Sequence, residues 1–133
     1  KKVKDNVNTI IMADESCFSP EDARRLLEMN AADVLNIKLM KCGGIYKALQ
    51  IIEIAEEFGV ECMLGCMVES KISLTAAAHL AAAKKTITRV DLDAAILLKE
   101  DPVVGGFNKD IPWFSLDDSP GLGITDVIGM TDI

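Results

Sequence analysis

The sequence predicts an α/β fold built on a parallel sheet, and three observations carry that prediction. Short apolar runs recur four times along the 133 residues, helical patterns follow them, and each run ends in a cluster of charged or glycine residues. Strands alternating with helices imply right-handed βαβ crossovers, and four strands make about half of an eight-stranded barrel.

The first run, Thr9-Ile10-Ile11-Met12-Ala13, is β-branched and continuously apolar, as expected of a strand buried on both faces. It stops at Asp14-Glu15-Ser16. Ser19-Pro20-Glu21-Asp22 then offers an N-cap, a proline at the first helical position and two acids that complement the dipole, predicting a helix to about Met29. Val34 to Leu39 is the second strand, closed by Lys41-Cys42-Gly43-Gly44. From Ile45 to Phe58 the spacing of Ile45, Ala48, Leu49, Ile52, Ala55 and Phe58 predicts a helix with those residues inward, stopped by Gly59. Val60 to Leu64 is the third strand, and Gly65-Cys66-Met67-Val68-Glu69-Ser70 leads into an alanine-rich helix from Ile72 to about Ala83. Ile87 to Val90 is the fourth, ending in Asp91-Leu92-Asp93. Gly105-Gly106, Pro112 and Pro120-Gly121 then mark an irregular tail, so residues 1–104 are expected to form the partial barrel and 105–133 the tail.

Half of the residues are apolar, enough for one domain with a core, and 14 Lys and Arg against 21 Asp and Glu leave a net charge of −7. That charge argues against nucleic acid and anionic membranes, which call for a basic surface. Ile72 to Ala83 is too short to span a bilayer, and no leader pattern opens the chain, so a soluble cytoplasmic protein is expected. Cys17, Cys42, Cys62 and Cys66 lie in apolar or element-edge contexts and are expected to be reduced. The Cys62–Cys66 spacing suits neither a thioredoxin pair nor a zinc knuckle. The chain opens on the charged stretch Lys1 to Asp5 without an initiator methionine, which reads as a piece of a longer polypeptide. A half-barrel has two open strand edges, which should need an absent remainder of the protein, a second copy or a compensating rearrangement.

In parallel α/β proteins the site gathers at the C-terminal ends of the strands. Here those ends carry Asp14 and Glu15, then Lys38 and Lys41, then Glu69, then Asp91 and Asp93, a polar rim of carboxylates and amines. On residues alone, Asp14 can be a turn cap and Lys38 a lysine snorkelling at a strand end. Asp91 and Asp93 stand two apart, so an extended chain points both one way, as a receptor for a substrate ammonium, a second metal site or a loop acid cluster. Glu15 should point away from its neighbour Asp14. His79 has no acid or cysteine partner at helical reach and reads as a core or surface residue. Gly105-Gly106 lacks the strand-to-helix context of a phosphate cradle.

Four motifs in this order, Ala13-Asp14-Glu15-Ser16, Asn36-Ile37-Lys38-Leu39-Met40-Lys41-Cys42-Gly43-Gly44, Gly65-Cys66-Met67-Val68-Glu69-Ser70 and Asp91-Leu92-Asp93, resemble the enolase superfamily. The muconate lactonizing subgroup is nearest, and within it dipeptide epimerases of the L-Ala-D/L-Glu type. The likeness runs from about Thr9 to Pro120-Gly121-Leu122-Gly123-Ile124. It implies the C-terminal half of a (β/α) barrel, strands five to eight, with the N-terminal capping domain absent and the tail returning towards that cap, where Trp113 and Phe114 would pack.

By the same resemblance Asp14 is the last of three carboxylate ligands to Mg2+, for which Mn2+ is an alternative. Lys38 is the catalytic lysine, whose pKa a nearby divalent ion would lower. The lysine would move a proton α to a carboxylate while the metal stabilises the enediolate. Asp91 and Asp93 would receive the dipeptide's amino group. Met67 and the backbone near Cys66 would line the pocket, Lys41 would be a turn lysine or a neighbour of the site, Glu15 an outer residue, and Glu69 a complement to the helix dipole.

The family pattern also needs a paired-lysine motif, two further carboxylates and a cap, none of which this sequence contains. Epimerisation takes a proton from one face and returns one to the other, so this chain alone is expected to be inactive. Muconate or chloromuconate cycloisomerase and o-succinylbenzoate synthase share the scaffold, but their acidic substrates suit Asp91-Leu92-Asp93 less well than a cationic terminus does. The non-enzymatic alternative is an α/β binding module.

Overall fold

The computed structural model describes residues 1–110 and 112–130. One four-stranded parallel sheet, in the order β1-β2-β3-β4, organises it: β1 (Met12–Ala13), β2 (Val34–Lys38), β3 (Glu61–Gly65) and β4 (Ile87–Asp91). The helices α1 (Pro20–Glu28), α3 (Ile45–Glu57) and α4 (Lys71–Ala83) carry the crossovers, and a single turn, α2 (Leu39–Cys42), continues directly from β2.

Local chemistry accounts for the boundaries. Ser19 caps α1, its Oγ accepting from the Asp22 N–H at 3.1 Å, while Asp22 accepts from the Phe18 N–H at 3.2 Å. Leu35 and Ile37 of β2, Cys62 and Leu64 of β3, Ile51, Ile52 and Ala55 of α3, and Leu74 and Ala77 of α4 form one buried cluster between sheet and helices. The helical face of α3 differs from the expectation. Ile51 and Ile54 are buried with Ala48, Ile52 and Ala55, whereas Ile45 and Phe58 are exposed, because α3 packs at once on α1, on the sheet and on α4 and buries a broader, rotated arc.

The first strand also departs from its expected form. Only Met12–Ala13 pairs, and Ile10 and Met12 are exposed, because β1 is the outer strand of the sheet and has β2 on one side only among the described residues. The chain before it is held by Asp33, whose carboxylate accepts from the Ile11 N–H at 2.9 Å and pairs with Lys4 at 2.9 Å.

The tail, expected to be irregular, is ordered into two antiparallel pairs. β5 (Val103–Gly105) pairs with β8 (Ile124–Val127), and β6 (Asn108–Asp110) with β7 (Trp113–Ser115), after the short helix α5 (Ala94–Leu97). The expected division after residue 104 therefore falls inside β5. The tail is tied to α4 through Thr75, whose Oγ1 accepts from the Phe107 N–H at 3.2 Å. Phe107 is buried and meets Phe114 edge-to-face at 4.8 Å, so Phe114 packs on this chain's own core while Trp113 stays exposed. No described helix is long and apolar enough to cross a membrane.

Candidate active site

The ends of β1, β2 and β3 converge on a cavity of about 270 Å3. Asp14 and Glu15 enter it from the end of β1, Phe18 from the loop beyond, Lys38, Met40 and Lys41 from β2 and α2, and Met67 from the segment after β3. The backbone bends at Asp14 and turns at Glu15, so the chain is not extended there, and Glu15 faces the same cavity instead of pointing away.

Asp14 is the electrostatic centre. Its Oδ2 lies 3.0 Å from the Lys38 ammonium and its Oδ1 2.6 Å from that of Lys41. Partial burial opposes ionisation of Asp14, but the hydrogen bonds from Lys41 and Lys38 outweigh it and hold the carboxyl below its ordinary range. Lys38 is held above its ordinary value, because Asp14 accepts a hydrogen bond from it and this outweighs its burial. The expected depression is one that a divalent ion beside the amine would impose.

Lys41, in the single turn α2, is a neighbour of the site, one of the two roles expected of it. Its ammonium also donates to the Asp14 carbonyl at 2.5 Å and the Asn36 carbonyl at 3.1 Å, tying the end of β1 to β2. Glu69 exceeds the dipole role expected of it. It is 4 % exposed, accepts from the Met67 N–H at 2.7 Å and from the Ser73 hydroxyl, and so fixes the segment that carries Met67 against the first turn of α4.

The sheet register relates this cavity to the acidic pair. Lys38 is level with Gly65, and Gly65 with Asp91, so the three form one row across β2, β3 and β4. The glycine leaves the middle of that row without a side chain. Asp91 and Asp93 line an adjoining cavity of about 200 Å3 together with Lys109 and Phe114. They do so for a different reason from the expected one: Asp91 ends β4, but Asp93 has helical backbone angles at the start of α5, so the pair is not extended. Cys66 precedes Met67 in the chain, and its thiol donates weakly to Asp93 at 3.9 Å. All four cysteines are free, and burial pushes the Cys17 thiol up to about 11 and the Cys62 thiol to about 12.

Asn36 is the residue that the motifs alone did not single out. It is 3 % exposed, its side-chain oxygen has no hydrogen-bond partner, and a Cβ at Gly65 would stand 2.7 Å from that oxygen. Its position two before Lys38 on a strand puts it on the same face, a signal available from spacing.

As a magnesium ligand Asp14 fits in chemistry, a hard oxygen donor facing a cavity. Among the described residues no group of three His, Cys, Asp or Glu side chains is close enough to hold a metal, so Asp14 can be one ligand of a shell completed from elsewhere.

Over 124 residues the chain is 60% identical to the L-Ala-D/L-Glu epimerase of Clostridium acetobutylicum, covering 93% of this chain and 35% of that protein. It is 55% identical over 127 residues to the hydrophobic dipeptide epimerase of Enterococcus faecalis, covering 94% and 36%. The solved substrate-liganded L-Ala-D/L-Glu epimerase of Bacillus subtilis superposes with a TM-score of 0.92 at 50% identity, over 96% of this chain and 35% of that one. The Enterococcus dipeptide epimerase solved with Mg and L-Leu-L-Tyr gives 0.90 at 55%, over 95% and 36%. The chain thus spans about a third of the length of these relatives. The enolase C-terminal domain-like family matches residues 1–126, nearly the whole chain, and with the parallel strands and the rim they carry it follows that the chain belongs to that family.

Proposed function

We propose that this chain supplies the C-terminal part of the active site of a magnesium-dependent dipeptide epimerase. The observation that carries the reading is the row Lys38, Gly65, Asp91 across the sheet, with Asp14 in contact with the lysine at one end. An amine at one end of the row and a carboxylate at the other, with the Asn36 amide lying over Gly65 between them, suit a substrate with a reacting carbon beside a carboxylate and an ammonium farther along.

In that reading Lys38 removes or returns the proton on the carbon next to the substrate carboxylate. As the ammonium it holds with Asp14, it is poised to donate; as the free amine it accepts. Asp91 and Asp93 bind the dipeptide's amino terminus through charge-assisted hydrogen bonds. Met67, with its backbone fixed by Glu69, forms an apolar wall. Asp14 would hold Mg2+, or Mn2+, which when bound supplies positive charge to the substrate carboxylate as the proton leaves. The group on the opposite face, the other metal ligands and a cap lie outside this chain, and the segment from residue 105 onward returns towards that cap. These 133 residues alone are therefore inactive. We further infer a cytoplasmic enzyme, in keeping with four free cysteines.

The test is solvent deuterium exchange at the α-carbon of L-Ala-L-Glu, with Mg2+, in the full-length polypeptide that carries these residues. Exchange that disappears in Lys38→Ala supports the reading, as does a KM raised about tenfold or more in Asp91→Asn. Exchange absent with every dipeptide tried, or turnover of a muconate or succinylbenzoate substrate instead, overturns it in favour of a binding module or a sister activity.

A further inference from the structure

The ammonium of Lys41 has three protons, and each has an acceptor: Asp14 Oδ1, the Asp14 carbonyl and the Asn36 carbonyl. The side chain is 5 % exposed, and the Phe18 ring lies 5.7 Å from the nitrogen. Two of the three acceptors are main-chain oxygens, so the ammonium is fixed by the backbone of β1 and β2 and not by the Asp14 carboxylate alone. Moving it would take this donor from the Asn36 carbonyl at the buried end of β2, while the Asp14 carbonyl would keep only the Cys17 N–H at 3.0 Å. The two oxygens of Asp14 are consequently unlike. Oδ1 is committed, whereas Oδ2 meets Lys38 at 3.0 Å beside the cavity.

We propose that Lys41 is a positioning residue that occupies Asp14 Oδ1 and so confines Asp14 to a single available oxygen, Oδ2, for an incoming divalent cation. The inference rests on the proposed function in taking that cation to be the ion of the reaction. A carboxylate held in this way ligates through one oxygen. That suits Mg2+, which keeps near-octahedral geometry with short single bonds, and withholds the second oxygen that Ca2+ readily uses. Lys41 thereby biases the site against the larger ion without touching it.

The experiment is calorimetric titration of the full-length polypeptide with Mg2+ and, separately, with Ca2+, in the unmodified protein, in Lys41→Met and in Ile52→Val. The last trims a buried α3 side chain outside the cavity and serves as a control for lost stability. The expected result is a Ca2+ to Mg2+ affinity ratio raised about tenfold in Lys41→Met and unchanged within about twofold in Ile52→Val. An unchanged ratio in Lys41→Met overturns the inference while leaving the proposed function standing. An unmodified protein that binds neither ion overturns both. Should Lys41→Met not fold, a crystal structure of the unmodified protein with Ca2+ decides the matter. One Asp14 oxygen within about 2.6 Å of the ion, with Lys41 still on the other, supports the assignment. Both oxygens on the ion, or an ion away from Asp14, overturn it.

Discussion

Asp14, Lys38 and Lys41 make a charge cluster whose members depend on one another, and its pH dependence follows from the two shifts. Asp14 titrates below its ordinary 3.8 in the folded protein, so its contribution to stability is complete above the unfolded value and is lost as pH falls through the folded one. Lys38 titrates above its ordinary 10.5, so its contribution is complete below that value and is lost as pH rises through the folded one. In the absence of divalent ions, thermal stability should therefore be flat between about pH 5 and 10 as far as this pair decides it, and fall on the acid side. Asp33, also lowered because it accepts the Ile11 N–H, adds to the same acid limb. Asp14→Asn should lower stability by about 1–3 kcal/mol at pH 7, since two ammonium groups lose their counter-charge, and should make the acid limb shallower. Melting curves across pH check both; an acid limb identical to that of the unmodified protein would refute the assignment. Motif order points to Asp14 and Lys38, and the structure brings the two into contact at one cavity. The contacts of Lys41 were not legible, because its position in the turn says nothing of which strand end stands beside it until β1 is paired with β2.

At the scale of an element, β2 and β3 meet through an unusual complementarity. Gly65 has ordinary backbone angles, and what a side chain there would encounter is the Asn36 amide, with the oxygen 2.7 Å from an added Cβ. Gly65→Ala should cost about 1–3 kcal/mol by overpacking. Asn36→Ala removes the obstructing group, whose oxygen has no partner to lose, so in a double-mutant cycle it should recover much of that cost. Additive losses in denaturant melts would show that the two side-chain volumes do not compete. The sequence readily locates the elements themselves. Each apolar run yields a strand of β1 to β4, and the bounds of α1, α3 and α4 fall within a residue or so of expectation. It is less informative about orientation. The spacing through α3 places Ile45 and Phe58 inward, yet they fall at the two ends of the helix and are exposed, and Ile51 is buried because α1 and α4 flank the sheet. Periodicity counts one face, while the tertiary surroundings decide how wide that face is. The tail was less legible still, since strands of three or four residues in antiparallel pairs leave no run long enough to show alternation.

For the whole molecule the decisive feature is that a parallel sheet of four strands ends in two edges. Among the described residues β1 pairs only with β2 and β4 only with β3, and Ile10, Met12 and Val90 stand exposed at or beside those outer strands. Parallel sheets are ordinarily covered, and an edge is a template for another chain. A net charge of −7 opposes association in general but does not neutralise the backbone groups of an edge. The 133-residue chain prepared alone should therefore self-associate as its concentration rises and bind a hydrophobic dye. Co-expression with the remaining, N-terminal two-thirds of the Clostridium acetobutylicum epimerase, whose C-terminal segment is 60% identical to this chain, should suppress both effects and yield a soluble pair. Light scattering on each preparation distinguishes the outcomes. A chain that stays monomeric at every concentration, and gains nothing from the complementary segment, would mean that its edges are already satisfied. If the pair forms, deuterium exchange at the α-carbon of L-Ala-L-Glu measured on it and on the chain alone separates assembly from chemistry. Pairing restores the strands beside Asp14 and Asp91, so exchange by the pair and not by the chain would locate the missing proton-transfer group in the added segment.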